Sequence, residues 1–379
     1  MKKVIINAKI ITNGQIIHNH NILFNRHIIS ISKELPLELE VIDAKGAYLS
    51  SGFIDIHIHG SGGADVMDAT SEALQTISNT LLQTGTTSFL ATTMTMAKSD
   101  IELALACVQL NKDNLEGAKI LGVHLEGPFI NPIKQGAQNA EYIQKPNQEL
   151  LEPYMDIIKM ITLAPEVEGA KAVLLFLQKY HPHILLSIGH SDATYEQTQE
   201  SFKRGISHAT HLFNAMNPLH HREPGIVGAV LEGEASCDII ADLIHIHPSF
   251  FNLLYKLKKD RLILITDAMR AGCMRCGEYN LGGQRVRVKD GEARLADGTL
   301  AGSVLTMNKA LKNFYHHCEI ALPELIEMVT KVPAQRLGLK DKGELKVGFC
   351  ADLVLFDKEF TVLKTFIDGE IKYVHSTNS

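Results

Sequence analysis

Gly52-Phe53-Ile54-Asp55-Ile56-His57-Ile58-His59-Gly60 is the stretch on which the reading of this chain turns. An apolar run ends in two histidines one residue apart and then breaks at Gly60-Ser61-Gly62-Gly63. Side chains in a strand repeat every two residues, so His57 and His59 leave the same face. Two imidazoles side by side at the C-terminal end of a strand form a natural pair of metal ligands. Alone, the pair would equally suit two hydrogen-bonded core histidines. The rest of the chain repeats the theme of an apolar strand followed by His, Glu or Asp.

Working outward, Ser71–Thr84 reads as a helix, Thr86–Ala91 as a strand, and Ser99 with Glu102 as a capping box opening a helix to about Lys112. Lys119–Leu125 is a strand followed by Glu126-Gly-Pro, and residues 159–164 a strand followed by Pro165-Glu166. Helix 168–180, strand 184–189, His190-Ser-Asp192 with Asp192 as a helix cap, and helix 194–204 come next. Short strands lead to His211, to Asp242-Leu-Ile-His245 and to Asp267, with a helix over 248–258. Residues 278–300 are Gly-rich and read as hairpins, and helices cover about 304–317 and 323–337. Strand–helix alternation of this length predicts a parallel sheet closed into a (β/α)8 barrel.

The two ends differ. Residues 1–50 form short apolar runs around an Asn13-Gly14 turn, and similar runs return at 343–347, 351–356, 360–366 and 370–374. Neither set buries its faces alone. The expected division is a β-sandwich of residues 1–51 plus 339–379 flanking a catalytic barrel of residues 52–338.

Composition narrows the function. With 379 residues, 45% hydrophobic and 21% charged, the chain has ordinary globular character. A net charge of −6 without a basic stripe argues against nucleic acid or an anionic membrane as partner. No apolar stretch reaches the length of a membrane span. Six irregularly spaced cysteines point to reduced thiols and the cytoplasm, and Cys273-Met-Arg-Cys276 lacks the further ligands of a zinc knuckle.

In barrels of this kind reactive groups follow the C-terminal strand ends. His57, His59, Glu126, His190, His211, His245 and Asp267 stand there. Each has an ordinary structural explanation, but the joint placement of all but His245 points to a divalent metal. Asp267, after Leu-Ile-Leu-Ile-Thr, is the candidate acid/base beside a metal-activated water. Arg222, in a loop with Asn214 and Ala215, can fork onto a phosphate or pair with Glu223. Asp297-Gly-Thr-Leu300-Ala301-Gly302-Ser303 is a tight loop able to approach a ligand with its backbone.

The ordered set of motifs resembles the N-acetylglucosamine-6-phosphate deacetylases of the amidohydrolase superfamily. The set is Gly52-Phe-Ile-Asp-Ile-His-Ile-His-Gly, His124-Leu-Glu-Gly-Pro-Phe, Gly189-His-Ser-Asp-Ala, His208-Ala-Thr-His-Leu-Phe-Asn-Ala-Met, His221-Arg-Glu-Pro-Gly, Thr266-Asp-Ala-Met and Asp297-Gly-Thr-Leu-Ala-Gly-Ser. The resemblance implies that Glu126, His190 and His211 bind metal and that Asp267 is the acid/base. It implies that Ala137, Asn214, Ala215, Arg222, His245 and the Leu300-Ala301-Gly302 backbone meet an amino-sugar phosphate. It also implies a homodimer in which Arg222 can reach the neighbouring site. Some members lack the His-x-His pair and use one metal. Here His57 and His59 are present, so two metals per subunit (Zn, Fe, Mn or Co) are expected, with Glu126 bridging. One departure stands out: Gln138 occupies a position where the family usually has His. Gln138 can hydrogen-bond a sugar or carbonyl oxygen but cannot carry charge. Two other readings remain. One is a related amidohydrolase for another N-acyl sugar phosphate or a cyclic amide, although Lys159 begins its strand instead of ending it. The other is a non-catalytic sugar-phosphate-binding regulator.

Overall fold

The computed structural model describes residues 2–34 and 39–376. Residues 1, 35–38 and 377–379, which the expected division assigns to the β-sandwich, lie outside the described residues. Eight parallel strands form one continuous sheet in chain order: β1 Phe53–Ile58, β2 Thr86–Thr92, β3 Lys119–Glu126, β4 Ile158–Leu163, β5 Leu185–Ile188, β6 His208–Ala209, β7 Ser236–Ile240 and β8 Leu262–Ile265. Strands such as Leu262-Ile-Leu-Ile265 are buried on both faces, which is why they read as continuous apolar runs and not as alternation. The seam between β8 and β1 closes just past the strands. Asp267 N–H donates to the His57 carbonyl at 2.9 Å, and Thr266 Oγ1 donates to Asp55 Oδ2 at 2.6 Å.

Crossover helices cover the outside. Ser71–Leu81 starts where the Thr70 hydroxyl accepts the Ala73 N–H, and it buries Leu74, Ile77 and Leu81 along one stripe. Lys98–Asn111 starts without a side-chain cap. The expected Ser99 capping box does not form, because Ser99 already lies inside the first turn. Asp192 is not the next cap either. Thr194 and Gln197 form that capping box reciprocally at helix Tyr195–Lys203, and Asp192 instead faces Lys134 at 3.3 Å. The helix expected over 323–337 divides into Leu322–Glu327 and Lys331–Arg336. Pro333 has no N–H to continue the first helix, and it is tolerated in the first turn of a new one.

The connection from β3 to β4 departs from the alternation. Residues 127–157 contain three short 3-10 turns, Pro132–Lys134, Ala140–Tyr142 and Glu152–Tyr154, and no α-helix. This long segment lies at the C-terminal mouth of the barrel. A three-stranded antiparallel sheet, Gly277–Leu281, Gln284–Lys289 and Glu292–Arg294, follows β8 and forms another part of the mouth, where hairpins were expected.

The chain ends meet in a six-stranded sheet. Tyr48–Ser51 lies between Lys9–Thr12 and Leu353–Phe356, so N- and C-terminal segments pair directly. A four-stranded sheet built from residues 3–43 faces it, and Ile5, Ile10, Phe24, Leu353 and Phe366 fill the space between them. The other face of the six-stranded sheet packs on the barrel through Phe356. Its ring stacks on Tyr48 and Phe360 and tilts against Phe53 of β1. Phe356→Ala is expected to cost about 3–5 kcal/mol, as for large aromatic deletions in cores. Chemical denaturation should show a lowered midpoint with one transition. Two separated transitions would mean that barrel and end sheet are independent.

Candidate active site

Each strand of the mouth delivers its side chain through a short local device. His57 is in β1 and His59 one residue past its end, Glu126 closes β3, and His190, His211 and Asp267 each stand two residues past a strand. The last three adopt positive φ, 47°, 32° and 47°. Such backbone costs of order 1–3 kcal/mol at a residue with a Cβ and persists where surrounding structure imposes it. At His211 the surroundings are visible. Asp238 of β7 accepts the His211 N–H at 2.5 Å with one oxygen and bonds His208 Nε2 at 2.9 Å with the other. At Asp267, the Ser303 N–H donates to its carbonyl at 2.7 Å. Gly302 must be glycine-like here: its φ is +57°, and a Cβ would stand 3.0 Å from the Asp267 carbonyl oxygen.

Four imidazole Nε2 atoms converge on Glu126. Oε1 lies 3.1 Å from His211, 3.3 Å from His190 and 3.5 Å from His57, and Oε2 lies 3.4 Å from His59. His57 and His59 Nε2 are 3.3 Å apart, and His190 and His211 Nε2 are 3.1 Å apart. Asp267 Oδ1 stands 3.2 Å from His59 Nε2 and 3.5 Å from His57 Nε2. These form two buried groups that could hold a metal ion, His57/His59/Glu126 and Glu126/His190/His211.

The donor set fits a divalent metal. Ligand atoms about 2.0–2.1 Å from a tetrahedral ion stand about 3.4 Å apart, close to the spacings here. The Lys134 carbonyl lies 2.9 Å from His190 Nδ1 and can only accept, so Nδ1 carries the proton and Nε2 offers a lone pair. Nitrogen lone pairs facing one another at 3.1 Å repel unless a cation or proton lies between them. The electrostatics agree. Burial pulls the His59 pKa down, but Asp267 and Glu126 outweigh it and hold the ring well above its ordinary value. His211 is likewise raised to about 9, with hydrogen bonding to Glu126 overcoming burial. Burial raises the carboxyls of Glu126 and Asp267, yet the surrounding histidines leave both below the ordinary carboxylate range. The site is arranged for positive charge, whether protons or a metal displacing them.

A cavity of about 370 Å³ opens over this floor. Of the residues expected at the substrate, Ala137, Gln138, Asn214, Ala215, His245, Leu300 and Gly302 line it. His245 is held through Nδ1 by Asp242 at 2.7 Å. Ala301 is fully buried behind the wall, its N–H bonded to the Ala293 carbonyl. Arg222 is not in this cavity. It borders a separate open hollow, with Nη1 2.8 Å from His221 Nε2. Lys159 is the second residue of β4, at the end of the barrel away from the site, so it cannot serve as a bridging lysine. Sequence reading missed Met94, Leu281 and Arg294 on the wall, and Asp55, Asp238 and Thr95 behind the floor, while Thr299 belongs to the loop expected to approach a ligand. Asp55, Asp238 and Thr95 carry no local signal, since each acts on a residue distant in sequence.

Comparison with known proteins agrees with this geometry. Residues 48–372 match the amidohydrolase family model. The chain belongs to the amidohydrolase family. It is 42% identical over 341 residues to an N-acetylglucosamine-6-phosphate deacetylase of Lysinibacillus sphaericus, covering 88% of each chain. It is 35% identical to an N-acetylgalactosamine-6-phosphate deacetylase of Escherichia coli O157:H7, covering 89% of this chain and 90% of that one. The solved N-acetylglucosamine-6-phosphate deacetylase of Pasteurella multocida superposes with a TM-score of 0.94 at 32% identity, covering 99% of this chain and 100% of that one.

Proposed function

We propose that this amidohydrolase removes the acetyl group of N-acetyl-D-glucosamine 6-phosphate, giving D-glucosamine 6-phosphate and acetate. The observation that carries the reading is the position of Asp267. Its Oδ1 faces His57 and His59 beside Glu126 on the floor of a cavity sized for a sugar phosphate. The full-length likeness to deacetylases of amino-sugar phosphates supplies the substrate class.

His57, His59, Glu126, His190 and His211 would hold the metal, and we place two ions in each subunit because two histidine pairs share one carboxylate. When bound, a divalent metal (Zn, Fe, Mn or Co) supplies Lewis acidity, polarising the amide carbonyl and easing deprotonation of water. Asp267, kept ionised by the nearby histidines, accepts a proton from the attacking water as its oxygen bonds to the acetyl carbon. The same proton passes from Asp267 to the amide nitrogen as the C–N bond breaks, so the sugar leaves as an amine. An unprotonated amine would be a poor leaving group. His245, Asn214 and Ala215, across the cavity, orient the sugar phosphate. Gln138 in place of the family's usual histidine favours a second reading, preference for another N-acyl hexosamine 6-phosphate. The galacto epimer, offered beside the gluco epimer, separates the two.

We further place the protein in the cytoplasm as a homodimer. Its six cysteines are free, and among the described residues no helix is long and apolar enough to cross a membrane. Arg222 lies outside its own subunit's cavity, on a surface from which it would serve the neighbouring one.

Asp267→Asn should keep the fold and bound metal but lose acetate release by two or more orders of magnitude, in keeping with loss of general acid–base catalysis (about 10²–10⁴-fold). Near wild-type acetate release would remove Asp267 from the mechanism. Arg222→Ala should raise KM for the phosphorylated sugar and leave the unphosphorylated sugar unchanged. Mixed with Asp267→Asn protein under subunit exchange, it should regain activity, because a hybrid dimer assembles one site with both residues. Equal losses on both sugars, or no recovery in the mixture, would exclude a phosphate contact across the dimer.

A further inference from the structure

Gln138 is buried, 3% exposed, and both ends of its amide are engaged by the protein. Its Oε1 accepts the Thr95 backbone N–H at 2.7 Å, and its Nε2 donates to Glu126 Oε2 at 2.7 Å. The amide cannot be turned over. The Thr95 N–H can only donate, so the oxygen must face it and the NH2 must face the carboxylate. The Gln138 N–H is tied to the Gln135 carbonyl at 2.9 Å, and Gly136, at φ +54°, lies beside the His190 ring. The backbone that carries the side chain is thus held by a local turn.

This bond sets the rotation of Glu126. With Oε2 held by Gln138, Oε1 is the oxygen turned toward His57, His190 and His211. No other hydrogen bond restrains Oε2 among the described residues, although His59 Nε2 lies 3.4 Å from it. A primary amide carries two N–H donors, and Glu126 takes one. Gln138 also borders the cavity.

We propose that Gln138 is a positioning residue for Glu126, fixing the carboxylate for metal retention, and that it acts before any substrate is present. The inference rests on the reading of Glu126 as a metal ligand. Hydrogen-bond partners of metal-ligating groups commonly contribute 10- to 100-fold in metal affinity, and a bond to an ionised carboxylate is among the stronger kinds. Gln138 does so as a neutral donor, adding no charge of its own to the site.

The test uses the full chain stripped of metal and titrated with Zn²⁺ against a competing chelator, in the absence of sugar. Gln138→Leu and Gln138→Met keep the volume and remove the donor. Both should loosen Zn²⁺ by about 10- to 100-fold while thermal melting shows folded protein. Gln138→His, which restores an N–H, should recover most of that affinity. The KM for the sugar phosphate, measured at saturating Zn²⁺, should change less than the Zn²⁺ affinity. Unchanged Zn²⁺ affinity in whichever apolar variant folds, with KM alone raised, would overturn the proposal and leave Gln138 as a substrate contact only. Wild-type protein that binds Zn²⁺ but releases no acetate would refute the deacetylase reading and leave the Gln138 comparison standing. Wild-type protein that binds no Zn²⁺ would overturn both.

Discussion

One buried carboxylate, Glu126, is the constraint on which the rest of the site depends. Its charge lies at the end of β3, away from water, in a setting where an unpaired carboxylate would be neutralised by a proton. Three of the imidazoles around it, His57, His190 and His211, reverse that outcome and hold it ionised. The same imidazoles cannot crowd together without a shared positive charge. Carboxylate and histidines therefore require one another, and the barrel is the device that brings them from four strands to one point.

The barrel does so by stacking short local solutions. The i, i+2 period of β1 aims His57 and His59 the same way. At β5, β6 and β8 the chain turns through positive φ two residues beyond the strand, bending His190, His211 and Asp267 over the mouth. Behind them stand partners from elsewhere in the chain: Asp238 under His211, the Lys134 carbonyl behind His190, and Asp55 across the seam to Thr266. The β3–β4 connection forgoes a helix and lies at the mouth instead, bringing Ala137 and Gln138 to the cavity and Lys134 to His190. Sheet packing through Phe356 anchors β1, the strand that carries the histidine pair, to the domain built from both chain ends.

Much of this was legible in the sequence because the signals are local. A strand of period two, a following turn and a ligand residue all fit within about ten positions, so the eight strands and the floor of the site could be read off. What could not be read was tertiary. Thr194 displaced Asp192 as a cap because Gln197 reciprocates. Pro333 divided a helix that composition alone would run together. Gln138 lines the cavity, but no sequence signal shows that its amide also bonds Thr95 and Glu126, residues 43 and 12 positions away. Arg294 reaches the cavity only because the hairpin sheet folds back over the mouth, with Nη1 donating to the Gly298 carbonyl at 2.7 Å. Arg222 lies outside its own subunit's cavity, which only the family resemblance, and no local pattern around it, anticipates.

The most direct measurement of the central claim is anomalous X-ray diffraction at the metal edge from crystals of protein loaded with Fe or Zn, paired with elemental analysis of the same protein. The account predicts one peak among Glu126, His190 and His211, a second among His57, His59 and Glu126, and a metal content of two per subunit that falls in a His57→Ala/His59→Ala variant. A content fixed at one under metal excess and unaffected by that variant would contradict the binuclear site. Active protein with no peak against Glu126 would contradict the account as a whole.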